Sequence, residues 1–165
     1  MKWKTVVLIL GILSIALLAA SCAPACPEIG DEAADFTLKT PGGQEASLSD
    51  YKGKLVMVNF WSTRCGPCVM EMPHLQDVYN EWTSRELAIL AVNVSDSSAT
   101  IKDFVAATGV TFDILLDPQG SVPQQYCLQP VIPITLFIDR EGILRKSQIG
   151  AFRGPEEINS ILEGL

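Results

Sequence analysis

The chain is short of positive charge. Its 165 residues carry 12 Lys and Arg against 19 Asp and Glu. Two of the basic residues and none of the acidic ones precede Cys22, so a chain beginning there has a net charge of −9. That balance argues against nucleic acid as a partner, and against docking on anionic lipid through a basic patch. A second Cys/His pair is also missing. His74 is the one histidine beside five cysteines, and a zinc site normally wants two such pairs at similar spacing. No apolar run is comfortable as a membrane span, which takes ~20 residues; Thr5 to Ala20 falls short of it. There are no repeats and no low-complexity tracts, and the length suits a single domain.

The amino terminus carries an address. Met1-Lys2-Trp3-Lys4 is a basic head, the run to Ala20 is almost wholly apolar, and Ala19-Ala20-Ser21-Cys22 follows. This is the layout of an export signal. Its end resembles a bacterial lipobox with Cys22 as the lipidated first residue, although Ala19 stands where leucine is commonest. The expected division is 1–21 signal, 22–30 tether and 31–165 one folded domain. Lipidation at Cys22 is the preferred reading. An uncleaved signal anchor and a plain secreted form are the alternatives, and all three place the domain outside the cytoplasm.

The chemistry concentrates between Leu55 and Pro73. Leu55 to Trp61 is a run of apolar β-formers interrupted by Asn59, as expected of a strand covered on both faces. Leu75, Val78, Tyr79 and Trp82 then recur at helical spacing. Between them lie Cys65-Gly66-Pro67-Cys68, with Pro67 at an early helical position where proline is tolerated. Two cysteines three apart thus sit at a helix N-terminus, where free N–H groups and the helix dipole favour a thiolate. Cysteines so placed titrate at roughly 3.5–7.5. Cys65 is placed to attack a disulfide, and Cys68 to close on Cys65 and release the product. The rival readings of the pair are a structural disulfide and half of a zinc site.

The rest of the chain supplies a frame. Asp35–Lys39 and Glu45–Leu48 read as a hairpin around Pro41-Gly42-Gly43, and Ser49–Gly53 as one helical turn. Pro73 should bend the helix after the dithiol. Leu87–Val94 is a second buried strand. A helix through Ile101 and Phe104 stops at Gly109. Asp113–Leu116 is a strand and Ser121–Tyr126 a short helix. Ile134–Ile138 and Ile143–Ile149 form an antiparallel pair, and a last helix opens at Gly154-Pro155. Cys26 and Cys127 could pair in an oxidising compartment, but spacing cannot show proximity; two unrelated thiols are the expectation.

Hairpin, βαβ crossover, insertion and ββα, with the dithiol at the first strand–helix junction, make an α/β thioredoxin-like fold: a central mixed sheet flanked by helices, extended by an N-terminal hairpin. Several motifs then resemble the TlpA/ResA-type thiol–disulfide oxidoreductases, a membrane-tethered branch of the thioredoxin superfamily related to the redoxin/AhpC-TSA group. They are Asp35-Phe36-Thr37-Leu38, Leu48 to Lys54, Val58-Asn59-Phe60-Trp61, Cys65-Gly66-Pro67-Cys68, Glu71-Met72-Pro73 and Pro133 to Asp139. The resemblance runs from about Ile29 to the C-terminus. It implies a cis-proline at Pro133 opposite the dithiol, with Ile132 facing the attacking sulfur. It implies that Glu71 is a buried acid that carries protons for Cys68, the more so because Asn59 stands where thioredoxin has an aspartate. Trp61, Gly66 and Pro67 are motif scaffold. Arg64 departs from the pattern, which usually has tryptophan; a guanidinium there favours the Cys65 thiolate and removes an aromatic wall of the substrate groove.

The resemblance further implies a protein-disulfide reductase that needs no cofactor or resident metal. Its partners would be disulfide-bearing proteins, with apocytochrome c as one class and cytochrome c biogenesis as the setting. A membrane thiol-electron donor of the CcdA/DsbD type would recharge it. Gly66-Pro67 favours the reducing direction, since thioredoxin, with the same dipeptide, lies at about −270 mV. Two rivals remain. A peroxiredoxin-like enzyme wants a threonine three before its cysteine, whereas Thr63 is two before Cys65. A Cu(I) metallochaperone would use Cys65 and Cys68, since thiolates suit Cu(I), with His74, otherwise a helix-surface residue, as the optional third ligand.

Overall fold

The computed structural model describes residues 26–82 and 86–165. The signal read at 1–21 and the lipidation site Cys22 lie outside the described residues.

At the centre runs β3 (Leu55–Trp61), buried at every position. It pairs in parallel with β4 (Leu87–Asn93) and antiparallel with β6 (Ile134–Ile138), with Asn59 opposite both Ala91 and Thr135. β5 (Asp113–Leu116) continues the parallel part beside β4, and β7 (Leu144–Ile149) lies antiparallel to β6. The hairpin of β1 (Thr37–Lys39) and β2 (Glu45–Ser47) joins the other edge through Lys39 opposite Leu116. The order across the sheet is β2-β1-β5-β4-β3-β6-β7.

Side chains alternate across a strand, and here the alternation splits the interior into two cores. Leu55, Met57 and Trp61 point to one face, where they meet α1 (Gly66–Trp82), Ile101 of α2 (Ser98–Thr108), and Ile158 and Leu162 of α4 (Pro155–Leu162). Val56, Val58 and Phe60 point to the other, under Leu48 of a 3₁₀ turn (Leu48–Tyr51) and Val122 of α3 (Ser121–Gln125). Each fully buried aliphatic side chain contributes about 1.5–3 kcal/mol, so both faces hold β3 rigid under the dithiol. α1 buries Cys68, Met72, Leu75, Val78 and Trp82 along one side and runs unbroken through the exposed Pro73. The indole N–H of Trp82 donates to Asn159 Oδ1 at 2.7 Å, tying α1 to α4. α2 ends at Gly109 in the left-handed conformation (φ 72°), the stop expected of that glycine.

One expectation is corrected. Cys26 and Cys127 are not separate thiols; they form a disulfide, with their Cα atoms 5.7 Å apart. A separation of 101 residues hides this contact from local reading. Tertiary pairing creates it: Gly30 N–H donates to the Leu144 carbonyl at 2.8 Å and Glu32 bridges Ile143. That folds the N-terminal segment back over the β6–β7 turn and brings Cys26 to the end of α3.

Candidate active site

Cys65 stands at the end of β3's following turn, immediately before α1. Its carbonyl accepts from Val69 N–H at 3.0 Å, the first bond of the helix, and its sulfur accepts from Cys68 N–H at 3.2 Å. Cys65 thus caps the helix as a serine would, and a negative sulfur would sit where N–H groups point. Cys65 and Cys68 are joined as a disulfide, with 5.2 Å between their Cα atoms. Cys65 is half-buried, whereas Cys68 is 0% exposed. An incoming molecule therefore meets the Cys65 sulfur first.

Across from the dithiol the Ile132–Pro133 peptide is cis, and the Cys65 sulfur lies 3.7 Å from the Ile132 carbonyl oxygen. Pro133 is itself anchored, its carbonyl accepting from Gly150 N–H at 2.9 Å. Gly66 and Pro67 form the exposed first turn of α1. Gly66 has an ordinary φ, and a Cβ there would meet nothing within 4 Å. Trp61 is fully buried and packs its ring on Phe104 at 4.8 Å.

Beneath the dithiol lies a buried polar cluster. Glu71 is 1% exposed. Asn59 Nδ2 donates to its Oε1 at 3.0 Å, and the backbone N–H of Phe152 donates to its Oε2 at 3.0 Å. Asn59 Nδ2 also donates to Thr135 Oγ1 at 2.9 Å. Burial pushes the Glu71 carboxyl above its ordinary range. The Phe152 and Asn59 donors pull the other way without overcoming it, and the charge of Glu157 adds to the rise. So the carboxylate expected from the sequence is buried on α1, three residues from Cys68, and its grip on a proton is tightened.

Arg64 stands at the surface, directly before Cys65. Its side chain is 75% exposed, and its Nε lies 3.8 Å from Asp96 Oδ1. The guanidinium thus pairs with a carboxylate that follows β4. Sequence reading missed Asp96 altogether. Its carboxylate accepts from Thr63 N–H (2.7 Å), the Ser62 hydroxyl (3.1 Å) and Asn93 Nδ2 (2.8 Å), so it knits the turn before Cys65 to the end of β4. Desolvation opposes its charge. The donors from Asn93, Thr63 and Ser62 outweigh that and hold the carboxyl below its usual range. The available signal was topological: Asp96 follows the carboxyl end of a parallel strand beside the dithiol strand, where α/β sheets place their sites. His74 is half-buried on α1, and no group of three metal-ligating side chains gathers among the described residues.

A mixed sheet of this order, with a Cys-x-x-Cys pair capping the helix after its central strand and a cis-proline facing it, defines the thioredoxin-like thiol–disulfide oxidoreductases. Comparison with known proteins agrees. The chain belongs to the AhpC/TSA family, whose model matches residues 29–147. It is 37% identical over 137 residues to the thiol-disulfide oxidoreductase ResA of Geobacillus thermodenitrificans, covering 83% of this chain and 78% of the relative. Among solved structures, StoA of Bacillus subtilis superimposes with a TM-score of 0.66 at 28% identity, over 78% of this chain and 96% of that one. An exposed lipoprotein thioredoxin of Streptococcus pneumoniae gives 0.69 at 30% identity, over 80% and 100%. The protein is a ResA-like thiol–disulfide oxidoreductase.

Proposed function

We propose that this protein is a membrane-tethered, extracytoplasmic reductant of protein disulfides. The observation that carries the reading is the asymmetry of the dithiol: Cys65 half-buried at the Ile132 carbonyl, Cys68 wholly enclosed. The reduced Cys65 thiolate attacks one sulfur of a substrate disulfide, forming a mixed disulfide and releasing the other sulfur as thiolate. Cys68 then attacks the Cys65 sulfur, forms the Cys65–Cys68 bond and releases the second substrate sulfur. Two electrons pass to the substrate. Glu71 takes up and returns the Cys68 proton, a role supported by its burial and its raised affinity for protons. Ile132 and Pro133 line the groove for the substrate backbone, and Arg64 lies at its rim.

The Cys26–Cys127 disulfide suits an oxidising compartment, as does the export signal. Lipid at Cys22 is the anchor we favour, and the pneumococcal relative is itself named a lipoprotein. No helix among the described residues is long and apolar enough to cross a membrane. A membrane thiol donor of the CcdA/DsbD type would return the electrons, and the haem-site thiols of apocytochrome c are the substrate class the ResA likeness favours. The test is trapping. Cys68→Ser should accumulate a mixed disulfide through Cys65, and Cys65→Ser should abolish turnover. Alkylation of the reduced wild type should label Cys65 first; preferential labelling of Cys68 would reverse the assigned roles.

A further inference from the structure

We propose that the Cys26–Cys127 disulfide is a positioning clamp for the loop that presents Ile132 to Cys65, and that it sets how tightly the enzyme engages a polypeptide substrate. The inference rests on the protein-disulfide reading above. α3 ends at Gln125; two residues on, Cys127 adopts a left-handed backbone (φ 49°), and the five residues from Leu128 to Ile132 follow. This run belongs to no strand. Its backbone donors reach local acceptors, Leu128 N–H to Pro123 at 2.9 Å and Val131 N–H to Gln129 at 2.8 Å. Such bonds shape the loop but do not fix it to the sheet.

What fixes its root is the N-terminal segment. Three consecutive residues reach that segment: Gln125 Nε2 donates to the Asp35 carbonyl (2.9 Å), the Tyr126 hydroxyl donates to the Ala34 carbonyl (2.7 Å), and Cys127 is bonded to Cys26. The segment is in turn laced to the β6–β7 turn through Gly30 and Leu144, Asp31 and Leu144, and Ala33 and Gly142, at 2.8–2.9 Å. The clamp therefore joins the reactive face to the end of the domain nearest the signal. Beyond it the loop shows an apolar surface. Val131 is 44% exposed, and Leu128, Pro130 and Ile132 line a cavity with Phe60 and Ile134. Ile132 joins this wall to the Cys65 sulfur, so a polypeptide docked at Cys65 would extend along it, whereas a small disulfide needs only the sulfur. Freeing the root makes the wall pay an ordering cost when a peptide docks, while the bonds that seat Cys65 on the helix N-terminus, from Cys68 N–H and Val69 N–H, lie outside the loop.

The experiment compares two substrates, insulin and bis(2-hydroxyethyl) disulfide, for the wild type, Cys26→Ser/Cys127→Ser and Tyr126→Phe. The double variant should lose about fivefold or more in kcat/KM on insulin, through KM, from added loop ordering. Its rate on the small disulfide should stay within about twofold. Tyr126→Phe keeps the disulfide and removes one tie of the same seam, so it should show a smaller loss with the same substrate preference. Should the double variant fail to fold, Tyr126→Phe alone decides. Equal losses on both substrates, or no loss on insulin, overturn the clamp. A wild type that reduces the small disulfide but not insulin overturns the protein-disulfide reading, and this inference with it.

Discussion

Replacing Cys26 and Cys127 by serine leaves both cores and every strand pairing intact, so its effect on stability comes chiefly from the unfolded chain. The bridge spans a sequence separation of 101 residues. Releasing a loop of that size returns chain entropy worth about 4.7 kcal/mol at 25 °C in the loop-closure treatment. A compact denatured state reduces this, and native disulfides of this kind generally contribute about 2–5 kcal/mol. The unfolding entropy of a domain of about 140 residues is about 0.3 kcal/mol per degree. The expected fall in Tm is therefore about 7–17 °C. A domain of that length has roughly 7–21 kcal/mol of stability, so the variant still folds at room temperature. Thermal and urea unfolding followed by circular dichroism, without reductant, measure the change. The m-value should rise as well, because an unclosed chain exposes more surface when it unfolds. A Tm within about 2 °C of wild type with an unchanged m-value would refute the reasoning. It would mean that the bridge closes no loop that the unfolded chain would otherwise open.

Glu71→Gln tests the buried carboxyl. Its folded pKa is raised, so its contribution is fully present below the unfolded carboxyl pKa and is lost as pH climbs through the folded value. The wild type should lose stability relative to Glu71→Gln from acid toward neutral pH, and a flat difference in urea midpoints across pH 4–8 would sink the assignment. Asp96→Ala strips the acceptor from Thr63 N–H, the Ser62 hydroxyl and Asn93 Nδ2. It should cost about 2–4 kcal/mol and slow attack by Cys65 even at pH values where the thiolate is fully formed, which stopped-flow alkylation reads. Gly66→Ala should fold within about 0.5 kcal/mol of wild type, since φ is ordinary and the space is open. Leu75→Ala, at a fully buried site on α1, should cost about 2–5 kcal/mol in chemical denaturation.

Local chemistry made much of this protein legible. Leu55 to Trp61 is apolar at nearly every position, which only a strand covered on both faces accommodates, and it lies in the middle of the sheet. Cys65 and Cys68 owe their relation to a helix that begins between them, and three-residue spacing sets Glu71 on the same side of α1 as Cys68. Gly109 stops its helix because the left-handed conformation suits glycine. These features depend on neighbours a few residues apart, and a sequence carries such neighbours explicitly. The remaining features depend on partners far along the chain. Thr135 and Phe152 reach the Asn59–Glu71 cluster only because β6 pairs with β3 and the chain returns after β7. Asp96 serves the turn before Cys65 because β4 lies parallel to β3, so both strands end at the same edge. Cys26 meets Cys127 because the N-terminal segment doubles back along the β6–β7 turn. No spacing encodes those meetings; packing two cores against one twisted sheet decides which distant residues share a few ångströms.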